Sequence, residues 1–146
     1  MKSRQPPRID PLSPSERSAR MALVRGKNTK PELIVRKILH CLGYRYRLHS
    51  TTIPGRPDIV FPKRKKVIFV HGCFWHQHGC GHYKMPQSRT EFWNSKLAAN
   101  KQRDELNIAR LKELSWDCLT LWECELRDLN SLTEKLVIFL GPTRMP

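Results

Sequence analysis

The decapeptide His71-Gly-Cys-Phe-Trp-His-Gln-His-Gly-Cys80 constrains this chain more than any other stretch. It crowds His71, Cys73, His76, His78 and Cys80 together, His82 follows at once, and Cys124 lies farther on. A structural zinc site needs four thiolate or imidazole ligands in a tetrahedron, and Cys3His or Cys2His2 sets are usual. Cys73, His78, Cys80 and Cys124 supply such a set, with His82 and His76 as alternatives at the histidine position. The spacing C-x4-H-x-C is not that of a standard finger, so the competing reading is a core thiol at Cys124 beside a surface cluster of histidines. Five cysteines, an odd number, argue against a disulfide framework. Cys41 and Cys118 have no histidine neighbours and read as buried free thiols. Histidines in excess of what one zinc needs point to a second task for the segment.

The chain has 146 residues, the size of one domain with a real core. No run of about 18 apolar residues occurs, as a membrane span would require. Residues 1–14 are basic and proline-containing without an apolar stretch, unlike a secretory signal. The expected compartment is the cytoplasm, at the nucleoid. Formal net charge is +14, and residues 1–66 carry 17 Lys/Arg against 4 Asp/Glu, whereas residues 67–146 carry 10 against 9. The positive field therefore belongs to the first half. A field of that kind attracts a phosphate backbone through counterion release. A basic amphipathic helix with a large apolar face, the mark of a membrane-surface binder, is lacking, so nucleic acid is the expected partner.

Residues 1–12 read as a flexible basic arm and 13–146 as a single domain. Ser13-Pro-Ser-Glu16 starts a helix to about Val24, with an N-cap serine, a proline in the first turn and a capping-box glutamate. Thr29-Lys-Pro-Glu32 repeats that pattern; Leu33, Ile34, Ile38, Leu39 and Leu42 follow at helical spacing, and Gly43 ends the helix. Strands are expected over Tyr44–Leu48, over Asp58–Phe61 after the Pro54-Gly-Arg-Pro57 turn, and over Val67–Val70, an apolar run suited to a buried central strand. A long helix from about Thr90 to Leu114, a strand over Cys118–Trp122 and a helix capped by Ser131 and ending at Leu140 complete the order. The pattern α-α-β-β-β-α-β-α makes a mixed sheet flanked by helices.

Metal-dependent phosphodiester cleavage needs a carboxylate for the cation, a group that activates water and stabilisation of the phosphate's extra charge. Asp58 opens one strand, and Phe69-Val-His71 ends the next. This layout resembles the restriction-endonuclease fold, with Phe69-Val70-His71 in place of the usual Glu-x-Lys. Water activation then falls to His71 and His76, because imidazole titrates near neutrality. Glu32 has a plain explanation as the capping-box acid.

Pro54-Gly-Arg-Pro-Asp58, Val67-Ile-Phe-Val-His-Gly-Cys-Phe-Trp-His76, Arg89-Thr-Glu-Phe-Trp93 and Trp122-Glu-Cys124, in this order, resemble the very short patch repair (Vsr) DNA mismatch endonucleases. The resemblance covers roughly residues 17–128. It implies an enzyme that nicks one strand of double-stranded DNA 5′ to the thymine of a T:G mismatch, the product of 5-methylcytosine deamination. It implies Mg²⁺ on Asp58 and on the backbone carbonyl of Val70, His76 as the water-activating histidine oriented by Glu32, and His71 near the scissile phosphate. It assigns Cys73, His78, Cys80 and Cys124 to structural Zn²⁺, in favour of His78 over His82. Phe74 and Trp75, joined by Met21, match aromatic and apolar wedges that enter the base stack. Lys96 and Asn100, one helical turn apart, match side chains that contact the mismatched bases. The family usually has Thr where this chain has Val70, a change of little weight if only the carbonyl is used.

The expectation is thus a monomeric, restriction-endonuclease-like α/β domain with a structural zinc site and a catalytic Mg²⁺, working beside other repair proteins. The rivals are a related nuclease of restriction type or with another mismatch as target, and a zinc-stabilised DNA-binding module without catalysis.

Overall fold

The computed structural model describes residues 28–76, 78, 80–81 and 85–143. The basic arm, the helix expected over 13–24 with Met21 on it, and His82 lie outside the described residues. Helix α1 (Lys30–Leu42) begins as its capping residues dictate: Thr29 accepts from the Glu32 N–H at 3.4 Å, Pro31 sits in the first turn, and Gly43 closes the helix at φ 89°. Its buried face is Glu32, Val35 and Leu39. Leu33, placed by spacing on that stripe, is 46% exposed, and Cys41, expected to be buried, is exposed too. Two residues beyond Leu39 the helix has turned by about 200°, which carries Cys41 to the outer side. Cys118 is half-buried and packs beside Val67 and Leu111.

The strands are β1 (Arg47–Leu48), β2 (Ile59–Phe61), β3 (Lys66–His71) and β4 (Asp117–Trp122), with helix α2 (Thr90–Glu113) between β3 and β4 and helix α3 (Leu129–Leu140) last. Their order in the sheet is β1-β2-β3-β4; the first three are antiparallel, and β4 runs parallel to β3. Val67, Ile68 and Phe69 are buried, as expected of an interior strand. Strand β1 is shorter than the expected Tyr44–Leu48, because the Tyr44 N–H is still committed to the α1 carbonyl of Leu39 at 3.1 Å. Helix α3 starts earlier than expected: Asp128, not Ser131, is its N-cap and accepts from the Ser131 N–H at 3.1 Å.

Alternation along the strands divides the core into two layers. Ile59, Phe61, Ile68 and Leu121 face Val35 and Leu39 of α1 and Leu132, Leu136 and Leu140 of α3. Val60, Val67 and Phe69 face the other way, onto Leu111 of α2. Helices thus cover both faces of a mixed sheet. Among the described residues no helix is long and apolar enough to cross a membrane.

The register decides where the chemistry gathers. Leu48 pairs with Ile59, and His71 lies beside Trp122, so the exits of β1, β3 and β4 and the entrance of β2 share one end of the sheet.

Candidate active site

Among the described residues, three groups of metal-capable side chains meet at that end. The first is Cys73, His78, Cys80 and Cys124, whose ligand atoms all lie within 4.8 Å of one another. His78 Nδ1 is 3.7 Å from Cys73 Sγ and 3.5 Å from Cys124 Sγ. A tetrahedron with Zn–S near 2.3 Å and Zn–N near 2.0–2.1 Å has an S···N edge of about 3.6 Å. The donors therefore fit a structural zinc ion in kind, number and distance. Burial pushes the Cys73 thiol up to about 12, so binding a cation here must displace protons. The turn between the ligands is closed by His76 N–H to Gly72 O at 3.3 Å and His78 N–H to Cys73 O at 3.1 Å.

The second group is His71, His76 and Asp104. The two imidazoles are stacked, with centroids 3.7 Å apart and planes 3° from parallel. His76 Nδ1 is hydrogen-bonded to Asp104 Oδ2. His71 is buried, and its Nδ1 has no hydrogen-bond partner among the described residues. Burial, then the neighbouring His76 charge, lowers His71 from 6.5 to about 4, so its ring is neutral near pH 7. Trp122 separates this pair from the zinc-type set: it stacks on His78 at 4.1 Å and meets His71 edge-on at 5.3 Å.

The third group is Glu32, His49 and Asp58. Asp58 Oδ2 accepts from the Val70 N–H at 2.8 Å. Burial raises Asp58 from 3.8 to about 6, and the nearby Glu32 charge adds to the rise, while the Val70 hydrogen bond opposes it. Glu32 Oε1 lies 2.6 Å from His49 Nε2, and its Oε2 accepts from the Asn28 N–H at 3.1 Å. The acid on His76 is therefore Asp104, and the imidazole on Glu32 belongs to His49; the expected Glu32–His76 pair is replaced by these two. Spacing marked neither newcomer. His49 follows a strand in a turn-like stretch, and Asp104 sits in Lys101-Gln-Arg-Asp-Glu105, which reads as a solvated helix face.

A single stripe of α2 serves all of this. Leu97 and Leu111 are its buried ends. Between them Asn100 Nδ2 donates to the Trp75 carbonyl at 3.2 Å, Asp104 holds His76, and Asn107 lies against the turn before Asp58. In that turn Gly55 has φ 80°, and a methyl group there would meet Asn107 Cβ at 3.0 Å and the Phe69 ring at 3.1 Å. Only glycine fits the approach.

Beyond the zinc-type loop lies an aromatic cluster. Phe74 and Trp75 are 5.0 Å apart, and both contact Trp93, at 5.5 and 5.8 Å. Lys96 Nζ lies 5.6–5.8 Å from the rings of Trp75, Phe92 and Trp93. Phe92, at 44% exposed, extends an apolar surface on the α2 end. The structure thus brings Phe74, Trp75, Lys96 and Asn100 together, and adds Phe92 and Trp93, which had no assigned role.

The family profile described as DNA mismatch endonuclease Vsr matches residues 9–82. The Type II nicking enzyme V.XorIIP of Xanthomonas oryzae pv. oryzae is 49% identical over 134 residues, which is 92% of this chain and 98% of the relative. The DNA mismatch endonuclease Vsr of Escherichia coli is 42% identical over 119 residues, 82% of this chain and 76% of the relative. The Type II nicking enzyme V.NmeAIP of Neisseria meningitidis is 41% identical over 127 residues, 87% and 91% of the two chains.

Proposed function

Since the chain belongs to the Vsr family of DNA-nicking endonucleases, we propose that it cuts one strand 5′ to the thymine of a T:G mismatch, in a reaction dependent on Mg²⁺. The observation that supports this best is the meeting of an acid-paired histidine, His76–Asp104, with the half-buried Asp58 beside an apolar aromatic surface.

Asp58 and the neighbouring Glu32 have the donor chemistry of a hard divalent cation, and no Lys or Arg pairs with Asp58 among the described residues. Val70, which turns its N–H to Asp58, directs its carbonyl to the same side, as strand residues do. Bound there, Mg²⁺ supplies charge neutralisation at the phosphate. His76 takes the proton of the attacking water at Nε2. Asp104 fixes the tautomer that leaves Nε2 available and stabilises the imidazolium that forms. Neutral His71, stacked on His76, stands near the scissile phosphate. Cys73, His78, Cys80 and Cys124 hold structural zinc, which keeps the loop carrying His76 and Phe74-Trp75 in place. Phe74 and Trp75, with Met21, unstack the step that the mismatch has weakened, while Lys96 and Asn100 meet the bases.

Nicking of matched and T:G duplexes by the purified protein tests this reading. A single cut in the thymine strand of the T:G duplex is expected, with the matched duplex left whole. Equal cutting of both would instead favour a restriction-type nicking enzyme.

A further inference from the structure

His49 holds two carboxyl-bearing residues at once, and no role yet described uses it. The rungs Arg47–Val60 and Leu48–Ile59 place it next, opposite Asp58, and its N–H donates to the Asp58 carbonyl at 3.1 Å. Its backbone turns out of the strand there, at φ 49°. That turn brings the imidazole over α1, where Nε2 meets Glu32 Oε1 at 2.6 Å. The Glu32 side chain is almost wholly buried, and its other partners among the described residues are the Asn28 N–H at 3.1 Å and Arg36 Nη1 at 3.7 Å. Arg36 is more exposed than Glu32 and lies on the solvent side of the helix. The same Oε1 thus faces both groups, His49 at hydrogen-bonding distance and Arg36 at the longer distance of an ion pair.

We infer that His49 is a positioning residue, which keeps Glu32 turned inward beside Asp58 so that both carboxylates serve one cation site. Two like charges within 4.8 Å repel, and a fixed donor between the strand and the helix opposes their separation. Loss of the imidazole would release Oε1 to Arg36 and leave Asp58 as the lone carboxylate. The inference rests on the cation reading of Asp58.

Two variants separate backbone strain from loss of the donor. His49→Asn tolerates the left-handed backbone but is too short to reach Glu32, whereas His49→Gln restores an N–H at greater reach. Single-turnover nicking by His49→Asn should be about 10- to 100-fold slower, the usual loss when a partner of a metal-site ligand is removed. His49→Gln should recover most of the rate. Mn²⁺ binding to the DNA-free protein, followed by electron paramagnetic resonance, should weaken in His49→Asn, while DNA affinity without metal stays unchanged. In a Glu32→Gln background, His49→Asn should have little further effect. An unimpaired His49→Asn alongside an inactive Asp58→Ala would overturn the inference. So would equal loss in the Gln and Asn variants, or a fall in melting temperature that accounts for the rate with Mn²⁺ affinity intact. An active Asp58→Ala would overturn the underlying cation reading instead.

Discussion

The Cys73–His78–Cys80–Cys124 set and the Glu32–His49–Asp58 set share one end of the sheet, yet differ in donors, closure and construction. Three thiols and an imidazole at tetrahedral-edge distances leave no coordination position for substrate, which is how a structural site is made. Two carboxylates, one of them held by an imidazole, would make an incomplete shell for a hard cation and leave positions open to substrate. The first set draws three of its four members from eight consecutive positions, the second from the start of a helix, the exit of β1 and the entrance of β2. Local spacing builds the scaffold, and sheet register builds the chemistry.

Four substitutions test that division. Cys124→Ser should have the largest effect, because apparent zinc binding in small domains contributes about 10–16 kcal/mol to folding. Elemental analysis should find about one zinc per chain in the wild type, and loss of zinc together with cooperative unfolding in the variant; a zinc-free but folded Cys124→Ser would remove the scaffold role. His76→Ala should slow nicking by about 10²–10⁴-fold with zinc content and melting temperature unchanged. Asp104→Ala should cost about 10- to 100-fold; equal rates for it and the wild type would show that the hydrogen bond to His76 does not bear on the reaction.

The smallest effect is one of stability in metal-free buffer. Burial raises Asp58 from 3.8 to about 6, so the folded chain holds that proton more tightly than the unfolded chain. The ionised carboxylate is destabilising above pH 6, and the cost fades as pH falls towards 3.8. His71, lowered from 6.5 to about 4, works in the opposite sense: its contribution is present above pH 6.5 and is lost on the way down to 4. Asp58→Asn should therefore be more stable than the wild type at pH 7, by about 2 kcal/mol. That advantage should vanish near pH 4, and the variant's own stability should fall more steeply through pH 6.5–4. Thermal melts across this range check it; a pH-independent difference would count against a desolvated, cation-seeking Asp58.

Most of the fold was legible in the sequence because its devices are local. Thr29 and Gly43 bound α1, the apolar run Val67–Val70 marks the interior strand, and the expected α2 agrees with the observed Thr90–Glu113 to within a residue. Errors arose where a local pattern admits two starts, as with Ser131 and Asp128, or where a helix end uses up a strand's N–H, as at Tyr44. Within the site, the zinc-type set and the aromatic pair stood out for the same reason. The pairings did not, since nothing in the neighbourhood of His49 or Asp104 distinguishes them from turn and surface residues until β1 is paired with β2 and α2 is laid on the sheet.

The stripe on α2 has a further consequence. Asn100, Asp104 and Asn107 touch in turn the aromatic loop, the imidazole and the turn that delivers Asp58. At 1.5 Å per residue they span about 10 Å, so the helix acts as a ruler between the groups that would meet the bases and those that would meet the phosphate. One residue inserted between Asn100 and Asn107 would rotate one end by about 100° against the other. Both parts would keep their own contacts and lose their alignment. The length of this segment, as much as the identity of its side chains, would then tie the place of cutting to the place of reading.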